Sequence, residues 1–222
     1  MNSAPAAQTD PGLAVVVRDL GRAEYLATWE AMRRFTDTRS AATADEVWLV
    51  EHPPVYTLGT NSSEQPLANP DAIPVVKTDR GGQITYHGPG QIVAYTLIDL
   101  RRRGWGVKRL VSALEQTVID LLATRGLSAE RRSGAPGVYV GGRKIAQLGL
   151  RVRQRGSYHG LSFNVAMDLT PFRHIHPCGY AGLETIDLAT LVGRERANPA
   201  DVKRELLAHL LGNLGYNAGQ SH

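Results

Sequence analysis

One residue of this sequence is a candidate nucleophile, because Cys178 is the only cysteine among the 222 residues. It lies between a proline and a glycine in the segment HIHPCGYAG, which predicts a turn. A turn cysteine is more accessible as a reactive thiolate than a structural cysteine, which is usually buried in a helix or strand. The nearby His174 and His176 leave a zinc site open as an alternative, which His159 could join, although catalytic zinc requires three defined protein ligands.

Lys144 is a second candidate for chemistry. It follows the dipeptide Gly141-Gly142, which predicts a hairpin turn, and it begins an apolar strand. Burial among apolar neighbours disfavours the charged form of a lysine, which suits a residue that exchanges protons. The alternative is a lysine whose ammonium group reaches solvent from a strand edge.

The segment RGGQITYHGPGQ, from Arg80 to Gln91, is rich in glycine and proline. Glycine lets the backbone approach a ligand closely, so we interpret the segment as a pocket wall. Two tight turns around an ordinary strand are the alternative. Tyr86 and His87 either orient a substrate or form hydrogen bonds within the core. The segment lacks the lysine and hydroxyl residue that end a phosphate-binding loop.

The remaining chain predicts the elements that must position these residues. Short apolar runs predict strands at 14–19, 46–51, 55–58, 82–87, 91–100, 137–140, 144–153 and 158–167. Helical spacing of apolar residues predicts helices over 22–38 and 108–125, and Asn198-Pro199 begins a last helix that ends near Gly215. We therefore expect one α/β domain of the α+β type over 14–222, with a mixed sheet flanked by helices, and a flexible tail over 1–13.

Composition limits the class of protein. A single cysteine allows no intrachain disulfide, which suits a reducing compartment. No apolar run has the length of a membrane span, and the first ten residues lack the features of a signal peptide. The formal net charge of +4 is compatible with an acidic partner. A solvated basic surface is the alternative. The chain has no zinc-finger spacing and no basic tail, which disfavours nucleic acid and leaves an acidic protein partner open.

Four segments, RGGQITYHGPGQ, GGRKIAQLGLR, YHGLSFNV and IHPCGYAG, occur in this order. Together they resemble the lipoyl(octanoyl) transferases, or octanoyl-acyl-carrier-protein–protein N-octanoyltransferases, from about Val15 to Leu214. The resemblance implies a biotin/lipoyl protein ligase-like fold with an apolar acyl tunnel. It also implies that Cys178 is the nucleophile and Lys144 the catalytic lysine. The substrate-binding positions that it implies are Arg80, Gly81, Gly82, Gln83, Ile84, Thr85, Tyr86, His87, Gln147, Leu148, Gly149, Gly160, Leu161 and Ser162.

The same resemblance implies the reaction. An octanoyl group would pass from octanoyl-acyl-carrier-protein to Cys178, and then to a lysine of a lipoyl domain, as the first step of endogenous protein lipoylation in the cytoplasm. The implied acceptors are the lipoyl domains of 2-oxoacid dehydrogenase complexes and the glycine cleavage H protein. Lys144 would stabilise the thiolate and later accept a proton, while backbone amides of 148–150 or near Gly179 would hold the oxyanion. No cofactor, metal, nucleic acid or membrane partner is expected.

The implied carrier protein is acidic, so basic residues are candidates for its docking surface. They are Arg101, Arg102, Arg103, Lys108, Arg131 and Arg132. Arginines that are merely solvated or structural are the alternative.

Three other functions remain as alternatives. An ATP-dependent lipoate or biotin ligase of the same fold would require ATP and would not need Cys178. A nucleic-acid-binding module would bind in a salt-dependent way and would not depend on Cys178 or Lys144. A hydrolase that uses Cys178 with His159 or His176 as base would release free acid from thioesters without a protein acceptor.

Overall fold

The computed structural model describes residues 15–62, 69, 71–175 and 183–216. The strands in this part of the chain are β1 (Val15–Arg22), β2 (Asp45–Glu51), β3 (Val55–Leu58), β4 (Val75–Lys77), β5 (Thr85–His87), β6 (Gln91–Leu97), β7 (Glu130–Arg131), β8 (Gly137–Val140), β9 (Arg143–Arg153) and β10 (Gly156–Asn164). The α-helices are α1 (Tyr25–Thr38), α2 (Val107–Ala123), α3 (Leu188–Val192) and α4 (Pro199–Leu214), and short 3-10 helices cover Thr170–His174 and Glu195–Ala197. Among the described helices, none has both the length and the apolar character needed to cross a membrane.

The strands form two sheets. The larger one has seven strands in the order β1-β2-β6-β10-β9-β8-β7, and the smaller one has the order β4-β3-β5. In the larger sheet β1 and β2 are parallel, because α1 provides the crossover between them, and the other neighbours are antiparallel. The pairing of β9 with β10 places Gln147 opposite Ser162 and Gly149 opposite Gly160. Two of the predicted binding segments therefore lie side by side on the sheet.

Helices cover both faces of the larger sheet. On one face α2 and α4 bury a large apolar cluster that includes Leu114, Leu161 and Leu210. On the opposite face α1 packs through Met32 against a smaller cluster that contains Tyr95. Each layer buries the apolar side of an amphipathic element, as expected for a sheet flanked by helices. The predicted fold class is confirmed.

Local sequence signals locate several ends and turns correctly. The Asn198 side chain accepts hydrogen bonds from the backbone of the first turn of α4, Pro199 is the first helical residue, and Gly215 ends the helix in a left-handed conformation. The dipeptide Gly141-Gly142 joins β8 to β9 with φ angles of +53° and +81°. Positive φ at both positions is typical of a two-residue hairpin turn, which explains the glycines.

Other boundaries differ from the prediction. The strand expected at 82–87 covers only Thr85–His87, because Gly82 has a φ of +84° that interrupts an extended strand. The strand expected at 91–100 ends at Leu97. The short elements β4, β7 and α3 were not predicted, since five residues or fewer carry too little periodicity. Residues 1–14 lie outside the described residues, so the N-terminal tail stays a prediction.

Candidate active site

A cavity of about 370 Å³ lies between the Arg80–His87 segment and the strands β6, β9 and β10. Every predicted binding residue except Tyr86 lines it, and so does Lys144. The other lining residues were not assigned to a pocket from the sequence. They are Tyr25, Asn61, Val93, Tyr95, Val107, Val111, Gly134, Pro136, Leu150 and His159. These residues come from separate elements, and only the fold brings them together.

Tyr86 does not line this cavity, unlike its neighbours Thr85 and His87. Successive residues of a strand point to opposite faces, so the side chain between two cavity residues points away. The Tyr86 ring packs against Tyr56 and Phe172, with both pairs of ring centroids 5.6 Å apart. The Tyr86 side chain therefore packs within the small sheet, and its expected substrate contact stays a prediction.

Arg80 anchors the wall of the cavity and is buried. Its Nη2 donates to the carbonyl oxygen of Thr57 at 2.6 Å and to the Thr57 hydroxyl at 2.9 Å. Gly149 allows this wall to lie against β9, because a Cβ there would be 3.0 Å from Arg80 Cδ and 3.1 Å from the Gly81 carbonyl oxygen. Gly81 donates its N–H to the Leu150 carbonyl oxygen at 2.9 Å. The glycines of both segments thus serve close packing of backbone on backbone.

Lys144 is buried, with 2% of its surface exposed, so the alternative of a lysine that reaches solvent is wrong. Its Nζ donates a hydrogen bond to the Pro136 carbonyl oxygen at 2.9 Å and lies 5.4 Å from the centre of the Tyr139 ring. Its backbone N–H donates to the Glu184 carbonyl oxygen at 2.8 Å, and its carbonyl accepts from Ile186 at 3.0 Å. The ammonium group is therefore held at one end of the cavity by backbone.

Cys178 lies outside the described residues, as do His176 and Gly179. The distance between the Cys178 thiol and Lys144 therefore remains a prediction, and so do the zinc alternative and the oxyanion site near Gly179. Within the described ranges, no group of three or more histidine, cysteine or acidic side chains is arranged to hold a metal ion.

The other end of the cavity is formed around His159, which pairs with Leu150 in the register of β10 and β9. Its Nε2 donates to Asp79 Oδ1 at 3.1 Å. Trp29 Nε1 donates to the same oxygen at 3.0 Å, and the Tyr158 hydroxyl donates to Asp79 Oδ2. Because Lys144 and Leu150 are six residues apart on one strand, the two ends are separated by about 20 Å.

The environment of this cluster determines its protonation. Burial lowers the pKa of His159, although Asp79 opposes that shift. Burial alone would raise the pKa of Asp79, but the hydrogen bonds from His159, Tyr158 and Trp29 lower it below its ordinary value. At neutral pH the carboxyl group is therefore ionised, and His159 is a neutral imidazole with its proton on Nε2.

Further neutral groups surround His159. Burial lowers the pKa of His52 to about 4, and the Tyr95 hydroxyl donates to His52 Nε2 at 2.7 Å. Burial also lowers the pKa of His87, whose ring stacks on Tyr25 with centroids 5.6 Å apart. We name Asp79, His159, His52, His87, Tyr25 and Tyr95 the imidazole cluster. Of these residues only His87 was assigned to the pocket from the sequence, and no local pattern marks Asp79.

The predicted docking residues fall into two groups. Arg102 is bound to Asp45 at 2.7 Å, and Arg103 lies between the rings of Trp105 and Tyr216 at 4.3 and 4.7 Å. These two arginines are structural. The exposed members are Arg101, Lys108, Arg131 and Arg132.

Solved structures share this architecture. A bipartite lipoate protein ligase of Thermoplasma acidophilum superimposes with a TM-score of 0.71 at 13% identity, covering 92% of this chain and 85% of that chain. Residues 24–211 match the family described as the lipoyl protein ligase A/B catalytic domain. The chain belongs to this family.

Closer relatives define the branch of the family. The octanoyltransferase of Nitrosococcus oceani is 58% identical over 202 residues, which are 91% of this chain and 89% of the relative. The octanoyltransferase of Thiobacillus denitrificans is 61% identical over 179 residues, which are 81% of this chain and 82% of the relative. The chain is thus a member of the lipoyl octanoyltransferases, which confirms the resemblance found in the sequence.

Proposed function

We propose that this chain transfers an octanoyl group from octanoyl-acyl-carrier-protein to the lysine of a lipoyl domain, by way of an acyl-Cys178 intermediate. The observation that carries the proposal is the buried Lys144 at one end of the cavity, in a chain whose relatives are octanoyltransferases. The lining includes glycine backbone and apolar side chains such as Leu148 and Leu161, which suits a medium-length acyl chain.

The chemistry divides into two steps that balance. The Cys178 thiolate attacks the thioester carbonyl carbon, the bond to the carrier sulfur breaks, and the Lys144 ammonium protonates the leaving thiolate. The neutral amine of the acceptor lysine then attacks acyl-Cys178, its proton passes to Lys144, and Cys178 leaves as the thiolate. The cycle restores both residues and needs no ATP, because an amide is formed from a thioester.

Backbone contacts support the pairing of Cys178 with Lys144. Glu184 follows Cys178 by six residues, and its carbonyl oxygen accepts the Lys144 N–H at 2.8 Å. Six residues span at most about 20 Å, so the predicted nucleophile is tethered to the strand that carries the lysine.

The proposed partners follow from the same reaction. We infer that the acidic carrier docks on the exposed basic residues Arg101, Lys108, Arg131 and Arg132. Val107 at the start of α2 is exposed and also lines the cavity, so we propose that the entrance lies beside this surface. The proposed acceptors are the lipoyl domains of 2-oxoacid dehydrogenase complexes and the glycine cleavage H protein. We infer a cytoplasmic location, which suits a single catalytic thiol.

The test is to incubate the protein with octanoyl-acyl-carrier-protein, quench without acceptor, and map the adduct by mass spectrometry. We expect a thioester-linked octanoyl group on the Cys178 peptide, absent from Cys178→Ala and removed by a lipoyl domain. Lys144→Ala should lower turnover by about 10²- to 10⁴-fold, the range of a lost acid–base group. Lys203→Ala is the matched control, since Lys203 pairs with Asp19 on the surface at 2.5 Å.

Other outcomes identify the alternatives. Wild-type protein that forms no adduct with intact donor would exclude the acyl-enzyme, and a requirement for ATP would indicate a ligase. Release of free octanoate without an acceptor would indicate a hydrolase.

A further inference from the structure

Glu115 and Lys144 bind opposite sides of one peptide group, the one between Pro136 and Gly137. It belongs to α2, is buried, and accepts a hydrogen bond at Oε1 from the Gly137 N–H at 3.0 Å. The carbonyl oxygen of the same peptide group, that of Pro136, accepts from Lys144 Nζ at 2.9 Å. The N–H and C=O of a trans peptide point in opposite directions. One peptide group therefore connects a buried carboxylate to the ammonium of Lys144.

The burial of Glu115 indicates that this contact is specific. Acidic side chains are rarely buried unless they are paired, and Glu115 uses both of its oxygens. Oε2 lies 3.1 Å from Nε of Arg131, whose side chain is 39% exposed, while Oε1 is used for the Gly137 N–H. A helix position that only needed to fill space next to β8 would be occupied by an apolar residue.

Gly137 fixes the geometry on the other side. Its φ is +145°, and a Cβ at this position would lie 2.3 Å from Lys144 Cε. The lysine side chain thus packs directly on the backbone of the peptide that binds its Nζ. The position of this peptide therefore contributes to the place of the ammonium group.

We propose that Glu115 is a positioning residue for Lys144 and acts through the Pro136–Gly137 peptide. A carboxylate that accepts the N–H polarises the peptide and makes its carbonyl oxygen a stronger acceptor, because linked hydrogen bonds reinforce each other. This orients the Lys144 Nζ for proton transfer to the leaving thiolate. The inference rests on the proposed role of Lys144 in the transfer.

The experiment measures the single-turnover rate of Cys178 acylation by octanoyl-acyl-carrier-protein, with unfolding midpoints for every variant. Glu115→Gln keeps the shape and an acceptor oxygen but removes the charge, and Glu115→Ala removes both. Asp120→Asn is the matched control, because Asp120 is another carboxylate of α2, and it accepts hydrogen bonds from Gln116 and Asn213 at 2.6 and 2.8 Å instead of from Gly137. Both Glu115 variants are also made in the Lys144→Ala background.

We expect Glu115→Gln to slow acylation about 5-fold and Glu115→Ala about 30-fold, each less than the loss of the acid–base group itself. The carrier concentration that gives the half-maximal rate should stay unchanged. Asp120→Asn should stay within about 2-fold of wild type, as is usual for a substitution away from the site. In the Lys144→Ala background the Glu115 variants should add no further loss, since residues that act through one group are not additive.

Two results would overturn the inference, and they separate it from the proposed function. If Lys144→Ala is slow but the Glu115 variants keep the wild-type rate, or lose rate equally in both backgrounds, Glu115 does not act through Lys144. If Lys144→Ala itself keeps the wild-type rate, the proposed role of the lysine and the inference about Glu115 both fail. A Glu115→Ala variant that does not fold leaves the decision to Glu115→Gln, whose shape matches the native side chain.

Discussion

The two ends of the cavity solve the problem of buried polar groups in different ways. At one end a single buried lysine is held by backbone carbonyls, and a carboxylate lies one peptide group away. At the other end, Asp79 and the aromatic groups of the imidazole cluster share hydrogen bonds, and burial keeps the histidines neutral. The end where proton transfer is proposed thus holds the amine of Lys144. At the distant end the histidines are neutral and the Asp79 carboxylate is fixed by its hydrogen-bond donors.

This difference teaches which changes should affect catalysis and which should affect the fold. Backbone holds the lysine, so small backbone changes there should alter the reaction before they alter stability. The imidazole cluster joins α1, the cavity wall and β10, so changes there should alter stability and substrate fit together.

The largest effect on turnover is expected at the lysine end of the cavity. Gly137→Ala should lower turnover by about 100-fold, because a misplacement of about 1 Å at a reacting group has that effect. The added Cβ would lie 2.3 Å from Lys144 Cε at a φ of +145°. The matched variant Gly134→Ala also has a positive φ and lines the cavity, but nothing lies within 4 Å of its new Cβ. Steady-state kinetics should show a loss only for Gly137→Ala, and equal losses would refute the contact argument.

Acid should selectively destabilise the imidazole cluster. The pKa of His52 is about 4 in the folded chain against about 6.5 in the unfolded chain, so only the unfolded state gains its proton between these values. The stabilisation is complete above pH of about 6.5 and falls by up to about 3 kcal/mol as the pH approaches 4. Chemical unfolding of wild type and His52→Asn across this window measures the difference. The variant should show the shallower decrease, and parallel curves would assign the decrease to other groups.

The smallest expected effect concerns the carboxylate of the same cluster. Asp79→Asn should reduce the free energy of unfolding by about 1–3 kcal/mol, since it weakens hydrogen bonds from three donors. It should also raise the KM for the octanoyl donor, because Asp79 immediately precedes the wall that starts at Arg80. Asp37→Asn is the control, because it breaks a partly exposed pair with Arg153 that also joins α1 to the sheet. A donor KM that stays at the wild-type value in Asp79→Asn would show that the wall does not depend on this carboxylate.

Sequence patterns predicted the parts of the site that local chemistry determines. Lys144 was found because a two-glycine hairpin precedes it, and the wall was found because glycines cluster between 81 and 90. Asp79 and Glu115 were missed, since their partners His159 and Gly137 are distant in the sequence, by 80 and 22 residues. Likewise, the alternation of side chains along the strand near Tyr86 separates two faces. Only the packing of the two sheets shows which of these faces lines the cavity.

The hydrogen bond from Trp29 to Asp79 has a practical consequence. Of the three tryptophans, Trp48 donates to Glu46 and Trp105 packs between Arg103 and Arg109. Only Trp29 bonds to Asp79, the residue that immediately precedes the cavity wall. Its indole emission is therefore an intrinsic optical signal for wall movement, which would let acyl-donor binding be followed by stopped-flow fluorescence without a label.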